Sequence, residues 1–232
     1  RDEISFNEIQ KHFKTNPSNV FQTSDIVFGF NQKNLADKEN IGLKIGVTPN
    51  MHLKLKLEKQ GINYIEVLAK EIDQLSKSYK NISFSLIPTE IYPTGTVFDD
   101  GQLCKEILKK CAYNNVIAYS KYVDAKTTFQ LIGECDIIIG SRFHSIVFAL
   151  SQEIPVISIG WSHKYTELMK EFSLSEFNLS PDKLGSSELV ELINKILVNK
   201  GIYIDAIVKH RKYISMENEG LFSQIKELLE NE

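Results

Sequence analysis

Residues 135–165 read CDIIIGSRFHSIVFALSQEIPVISIGWSHKY, and the fold class follows from this stretch. Ile137, Ile138 and Ile139 form a continuous apolar run closed by Gly140, the pattern of a strand buried on both faces that stops at a tight turn. Phe143, Ile146, Val147 and Leu150 then recur at helical spacing, with Ser141 placed to cap the helix. Pro155 to Ile159 repeats the strand pattern, ends at Gly160, and leads into a loop that carries His163 and Lys164. Arg142 and His144 fall in the first turn of the helix, at the carboxyl end of a strand. Unpaired backbone N–H groups and a partial positive charge collect there, so basic side chains add little stability but suit an anion. If the two strands are parallel neighbours, both loops open at one sheet edge, where α/β proteins bind ligands.

Working outward, apolar strand patterns alternate with amphipathic ones. Leu43–Val47 leads to a helix expected over about 58–79, and Ile82–Ile87 to a long loop and a helix over about 101–112. Val116–Tyr119 precedes a short helix around 125–133. Beyond Tyr165 come a helix to about Phe172, a short strand near Phe177, a helix over 186–199 stopped by Gly201, and two further helical patterns at 203–215 and 221–229. The alternation predicts an α/β, Rossmann-like parallel sheet with helices on both faces. The first forty residues fit it poorly: 5–13 reads as a helix and 25–30 as a strand, followed by a polar, turn-rich segment.

Composition narrows the function classes. The chain has 232 residues, is 42% hydrophobic and 25% charged, and carries a net charge of −3. Without a Lys/Arg patch it has no electrostatic footprint for nucleic acid. No apolar run approaches the ~18 residues of a transmembrane segment. Cys104, Cys111 and Cys135 have neither metal-site spacing nor an even count, and read as reduced thiols of a cytoplasmic protein. Glycine-rich dinucleotide and nucleoside-triphosphate motifs are absent from the sequence. Lys supplies 24 of the 27 basic residues, and Arg only three, at 1, 142 and 211. A scarce guanidinium at a helix start suits a planar phosphate or carboxylate.

The stretch GSRFHSIVFALSQEIPVISIGWSHKY resembles the signature of the polysaccharide pyruvyl transferase family. RDEIS at the start, SDIVFGF at 24–30, the strand ending in Ile87 and Pro88, and the pair Asp99–Asp100 resemble that family in the same order. The resemblance implies a GT-B-like enzyme of two Rossmann-type halves. Residues 1–40 would be the end of an N-terminal domain with its linker, and 41–232 the C-terminal domain with C-terminal helices. It implies transfer of the pyruvyl group of phosphoenolpyruvate onto two hydroxyls of a sugar in a cell-surface polysaccharide or its precursor, forming a cyclic ketal. The donor is then a substrate, and no cofactor or metal is expected. The acceptor would be a saccharide, free or lipid-linked, handled in the cytoplasm or at the inner face of the membrane. The family's R-x-H motif, which contacts phosphoenolpyruvate, falls on Arg142 and His144. With one wall of the cleft missing, this chain alone is expected to be weakly active or inactive.

The expected site is therefore His144 and His163 as catalytic candidates, one of them a proton donor, with Ser141, Arg142, Lys164 and Arg1 binding substrate. Each has a plainer reading, Arg1 as a chain-end charge and Lys164 as a rim residue. Asp99 or Asp100 reads as the cap of the helix near Gly101, with a carboxylate for the acceptor as the other reading. Thr89 stands where relatives carry His. Trp161 suits either a sugar face or the core, the pair Tyr92 and Phe98 decides nothing alone, and His12, His52 and His210 read as surface residues. Two rival functions stay open: a GT-B nucleotide-sugar glycosyltransferase and a non-catalytic saccharide-binding subunit.

Overall fold

In the computed structural model the described residues are 3–12, 23–29, 42–92 and 98–230. Six strands, β1 (Leu43–Thr48), β2 (Ile82–Leu86), β3 (Val116–Ala118), β4 (Ile137–Gly140), β5 (Val156–Ile159) and β6 (Asn178–Leu179), form one sheet in the order β3-β2-β1-β4-β5-β6. All five pairings are parallel. The central strands lie buried on both faces, as their unbroken apolar runs require: Ile137, Ile138, Ile139, Val156, Ile157 and Ile159 are each at most 1% exposed. The expected α/β Rossmann-like class is what the chain adopts.

Among the described residues nine helices accompany the sheet. They are α1 (Glu3–His12), α2 (Met51–Glu58), α3 (Tyr64–Ser78), α4 (Asp100–Lys110), α5 (Ala125–Gly133), α6 (Phe143–Ser151), α7 (His163–Glu171), α8 (Glu188–Val198) and α9 (Lys200–Glu230). In α3, Leu68, Ile72 and Leu75 form the buried stripe that a 3.6-residue period demands, and the Asn63 side chain accepts from Glu66 N at its start.

Four expectations change in the structure. The helix expected over 58–79 begins only at Tyr64, as α3, because the turn at Gly61 (φ +78°) separates it from a further helix, α2, over Met51–Glu58. The helix expected over 186–199 ends where expected, at Val198, but Gly201 is the second residue of α9, which merges the two later patterns across an interior Gly220. Exposed glycine in a helix costs only about 1 kcal/mol, too little to break a helix by itself. The strand expected at 25–30 is a 3₁₀ turn over Ile26–Gly29. There the Asp25 carboxylate accepts from Val27 N at 3.2 Å and the Asp25 carbonyl from Phe28 N at 3.0 Å, a local alternative to a sheet edge. Phe28 packs on Phe172 with ring centroids 5.2 Å apart, fixing this turn against the end of α7. Finally, Ser141 does not cap α6; the residue in that position is Arg142.

The topology sets the place of the site. β1–β2–β3 wind outward to one side and β4–β5–β6 to the other, so the order reverses between β1 and β4, the place where open α/β sheets bind ligands. Thr48 pairs with Gly140, and Gly140 with Ser158, so three strands end level and their loops emerge together. Among the described residues no helix is long and apolar enough to cross a membrane.

Gly140 is required by close approach, because α6 turns straight back over the strand end. A Cβ there would sit 2.7 Å from Ile146 Cγ1 and 3.3 Å from Ser145 Oγ. Gly140→Ala should therefore cost about 1–3 kcal/mol, seen in urea as a lower midpoint with an unchanged slope.

Candidate functional site

Five helices directly follow a strand, and their starts differ. Asn50 caps α2, accepting from His52 N at 2.8 Å and Leu53 N at 3.3 Å. Asp99 caps α4 through Gly101 N and Gln102 N, and Asp124 caps α5 through Thr127 N. The starts of α6 and α7, at Arg142 and Ser162, have no side-chain cap. These two open from the level ends of β4 and β5, and they carry the basic residues that the sequence singles out.

Around α6 the loop is held tightly. Ser141 is 1% exposed, and its carbonyl accepts from Asn50 Nδ2 (2.8 Å), Tyr165 OH (2.8 Å) and Trp161 Nε1 (3.3 Å). Its N–H donates to the Thr48 carbonyl at 3.0 Å, and its hydroxyl lies 3.1 Å from Tyr64 OH. All its polar atoms are engaged inside the protein, so Ser141 positions the loop and presents no group to a substrate. Burial pushes the Tyr165 phenol up to about 12, against the hydrogen bond with Trp161 and the Arg142 charge. The hydroxyl stays a donor to the Ser141 carbonyl at any ordinary pH.

Arg142 is more deeply committed than its sequence context suggests. Its Nε and Nη2 donate to Asp100 at 2.8 and 2.7 Å, a two-point pair with a carboxylate that is 0% exposed. Nη1 meets Glu90. Asp100 also accepts from Met51 N (3.0 Å) and Glu90 N (3.2 Å). Burial holds the Asp100 carboxyl above its ordinary range even though the Arg142 guanidinium opposes it; burial likewise works against the Arg142 charge, which Asp100 more than restores. These strong partners are all donors, so Asp100 is an ionised carboxylate that joins the loops after β1, β2 and β4. The cap at this helix is Asp99, as expected, while the adjacent Asp100 does the tying.

The remaining residues lie along the same edge. His144 is the second residue of α6, exposed, with its ring edge-on to Phe143 at 5.8 Å. His163 and Lys164 are the first two residues of α7, also exposed. Lys164 Nζ stands 5.2 Å from the Phe143 ring centre, so the second loop reaches across to the first turn of α6. Trp161 is half-buried with its indole N–H turned inward, and Lys56 donates to its carbonyl at 3.3 Å. The structure thus brings Arg142, His144, His163 and Lys164 to one edge. Arg1 lies outside the described residues.

Two participants were not legible in the sequence. His52, read as a surface residue, stands in the first turn of α2 with Nε2 4.0 Å from Glu90 Oε2 and its ring stacked on Phe98 at 4.6 Å. Glu90 follows Thr89, whose hydroxyl is 3.5 Å from Asp100, and takes the polar role at that loop. Partial burial works to raise the Glu90 carboxyl, but the Tyr92 hydroxyl and the nearby Arg142 and His52 charges outweigh it and hold the group below its ordinary value of 4.5. His52 is nonetheless exposed, as expected, whereas His210 is half-buried, packing edge-on against Phe172 at 4.7 Å and lying 3.4 Å from Glu171. His12 does lie exposed, beside Glu8.

Two predictions follow from this ion-pair network. Arg142→Ala should destabilise the fold by about 3–5 kcal/mol, because Asp100 is left charged and buried; urea denaturation measures it. Glu90 has a depressed carboxyl, so its ionised form stabilises the folded state above the unfolded value, and that contribution is lost as pH falls through the lower folded value. The advantage of the natural protein over Glu90→Gln should be complete above the ordinary 4.5 and shrink below it, in melts between about pH 3 and about pH 7.

Comparison with known proteins gives this geometry its context. A Listeria monocytogenes protein described as a UDP-N-acetylglucosamine 2-epimerase superposes with TM-score 0.68 at 11% identity, covering 100% of this chain and 59% of its own. The S. aureus MnaA–UDP co-structure superposes with TM-score 0.61 at 11% identity, covering 89% of this chain and 53% of its own. At that identity the likeness establishes the GT-B-like fold alone. The amylovoran biosynthesis protein AmsJ of Erwinia amylovora is 28% identical over 69 residues, 30% of this chain and 17% of AmsJ. The chain thus spans little more than half of the solved structures and a smaller share of AmsJ. The model of the polysaccharide pyruvyl transferase family matches residues 1–163, including β1 through β5 and the site as far as His163, and the chain belongs to that family.

Proposed function

We propose that this chain carries the donor half of a transferase that moves the pyruvyl group of phosphoenolpyruvate onto two hydroxyls of one saccharide unit during polysaccharide synthesis. One observation carries the reading: two helix starts without side-chain caps, bearing Arg142, His144, His163 and Lys164, open side by side at the topological switch point. Phosphoenolpyruvate holds a phosphate and a carboxylate on three carbons. Backbone N–H groups at two helix ends with cationic side chains beside them suit both anions. Family membership supports the reaction class.

In this reading an acid delivers a proton to the methylene carbon of the donor while positive charge develops on the neighbouring carbon. A saccharide hydroxyl attacks that carbon and gives up its proton to a base. The second hydroxyl then forms the other C–O bond as the bond to phosphate breaks, its proton passing to the departing phosphate, giving the cyclic ketal and inorganic phosphate. His144 and His163 are the acid candidates, and Lys164 neutralises the departing phosphate. Arg142 has its Nε–H and one Nη2–H committed to Asp100, so a donor anion is left the second Nη2–H and Nη1, the latter now against Glu90. The reading includes a domain division near residue 40, with the facing wall of the cleft and most, though not all, of the acceptor contacts supplied from outside 41–232 and little activity in this chain alone.

The test is turnover by the enzyme at the length of its relatives, read as loss of phosphoenolpyruvate, release of phosphate and a ketal on the saccharide. His144→Ala should lower kcat by about 10²–10⁴-fold if His144 is the acid. If His144 holds phosphate instead, KM rises and His163→Ala carries the rate defect. An undiminished rate in the double variant would falsify the assignment.

A further inference from the structure

Beside the Arg142–Asp100 pair lies a second cluster that donor binding does not use. It is built from the first turn of α2 and the loop after β2: His52, Glu90, Tyr92 and Phe98. We propose that these four residues form a subsite for the hydroxyl-bearing saccharide, adjoining the anion site. The substrate class rests on the transferase reading above; the location and the residues do not.

A saccharide ring offers an apolar C–H face and an edge of hydroxyls, so its complement is an aromatic face bordered by hydrogen-bonding groups. Tyr92 and Phe98 are each 39% exposed at the ligand-binding edge of the sheet. Phe98 is oriented in advance by the His52 imidazole, stacked at 4.6 Å and 22°, so little ordering remains for a ligand to impose. The polar border is Glu90. Its Oε1 accepts from Tyr92 OH at 2.5 Å, and its Oε2 faces both Arg142 and, at 4.0 Å, His52 Nε2. A carboxylate has about four acceptor positions, which leaves room for a hydroxyl donor at Glu90.

Charge separates a saccharide from a second anion. Glu90 and Asp100 already face Arg142 and the His52 ring, so among the described residues the cluster has no spare cation for another phosphate, and a neutral polyol fits there. Position completes the argument. Glu90 touches the guanidinium on one side and His52 on the other, so a hydroxyl bound at Glu90 lies next to the anion site. That adjacency is what transfer between the two sites needs.

The experiment is saturation-transfer NMR on the full-length enzyme, using methyl β-D-galactopyranoside, methyl β-D-glucopyranoside and methyl α-D-mannopyranoside as probes, with phosphoenolpyruvate affinity measured on the same samples. At least one glycoside should receive saturation. Phe98→Ala and His52→Gln should each reduce that transfer about fivefold or more, the loss of one aromatic or hydrogen-bonding contact. Phosphoenolpyruvate affinity in Phe98→Ala should change less than about twofold. Thermal melts of both variants guard against simple unfolding, and Tyr92→Ala serves as the replacement where one fails to fold. No transfer to any of the three glycosides, undiminished transfer in folded variants, or equal loss of glycoside and phosphoenolpyruvate would overturn the subsite. A natural enzyme that binds glycoside through this cluster but has no affinity for phosphoenolpyruvate would instead refute the donor reading and leave the subsite standing.

Discussion

The two-point pair between Asp100 and Arg142 is the constraint on which the candidate site depends. Asp100 starts α4 after β2, Arg142 starts α6 after β4, and the same carboxylate accepts from Met51 N at the start of α2 after β1. Three loops from three adjacent strands are therefore fixed relative to one another by one buried anion. A buried ion pair is not in itself a large source of stability, since desolvation offsets much of the attraction. Its value here is geometric, because it admits one arrangement of the loops at the switch point. Asn50 reinforces it, capping α2 with its side-chain oxygen and holding the Ser141 carbonyl with its amide N–H.

The same economy shapes the electrostatics of the edge. One side, at the starts of α6 and α7, has helix ends without side-chain caps and exposed basic residues. The other, along the loop after β2, has two carboxylates and exposed aromatic rings. Arg142 stands between them with its fork turned toward Asp100 and Nη1 toward Glu90. An anion and a neutral, hydroxyl-rich partner would thus meet on either side of a single guanidinium. Lys164, resting 5.2 Å from the Phe143 ring centre, links the second helix start to the first.

Much of this was legible in residues 135–165, because buried parallel strands have unbroken apolar runs and the intervening helix has its own period. The level ends of β4 and β5 and the convergence of His144, His163 and Lys164 follow from that pattern. What could not be read is what depends on long-range pairing. Asp100 looks like a capping residue in sequence, 42 positions from the guanidinium it holds, and Glu90 and His52 carry no local periodic signal. Ser141 reads as a cap from its place before an apolar helix, yet its buried hydroxyl faces Tyr64. The turn at Ile26–Gly29 misled for a related reason: its apolar residues fit a strand, but the Asp25 side chain and carbonyl satisfy the backbone locally.

The central claim is that the starts of α6 and α7 form one site for phosphoenolpyruvate. Titration of phosphoenolpyruvate into the protein, followed through the imidazole NMR signals of His144 and His163, tests it most directly. The account predicts saturable shifts of both signals with a single shared affinity, and much weaker shifts with pyruvate, which lacks the phosphate. Separate affinities for the two histidines, or equal responses to pyruvate and phosphoenolpyruvate, would contradict it.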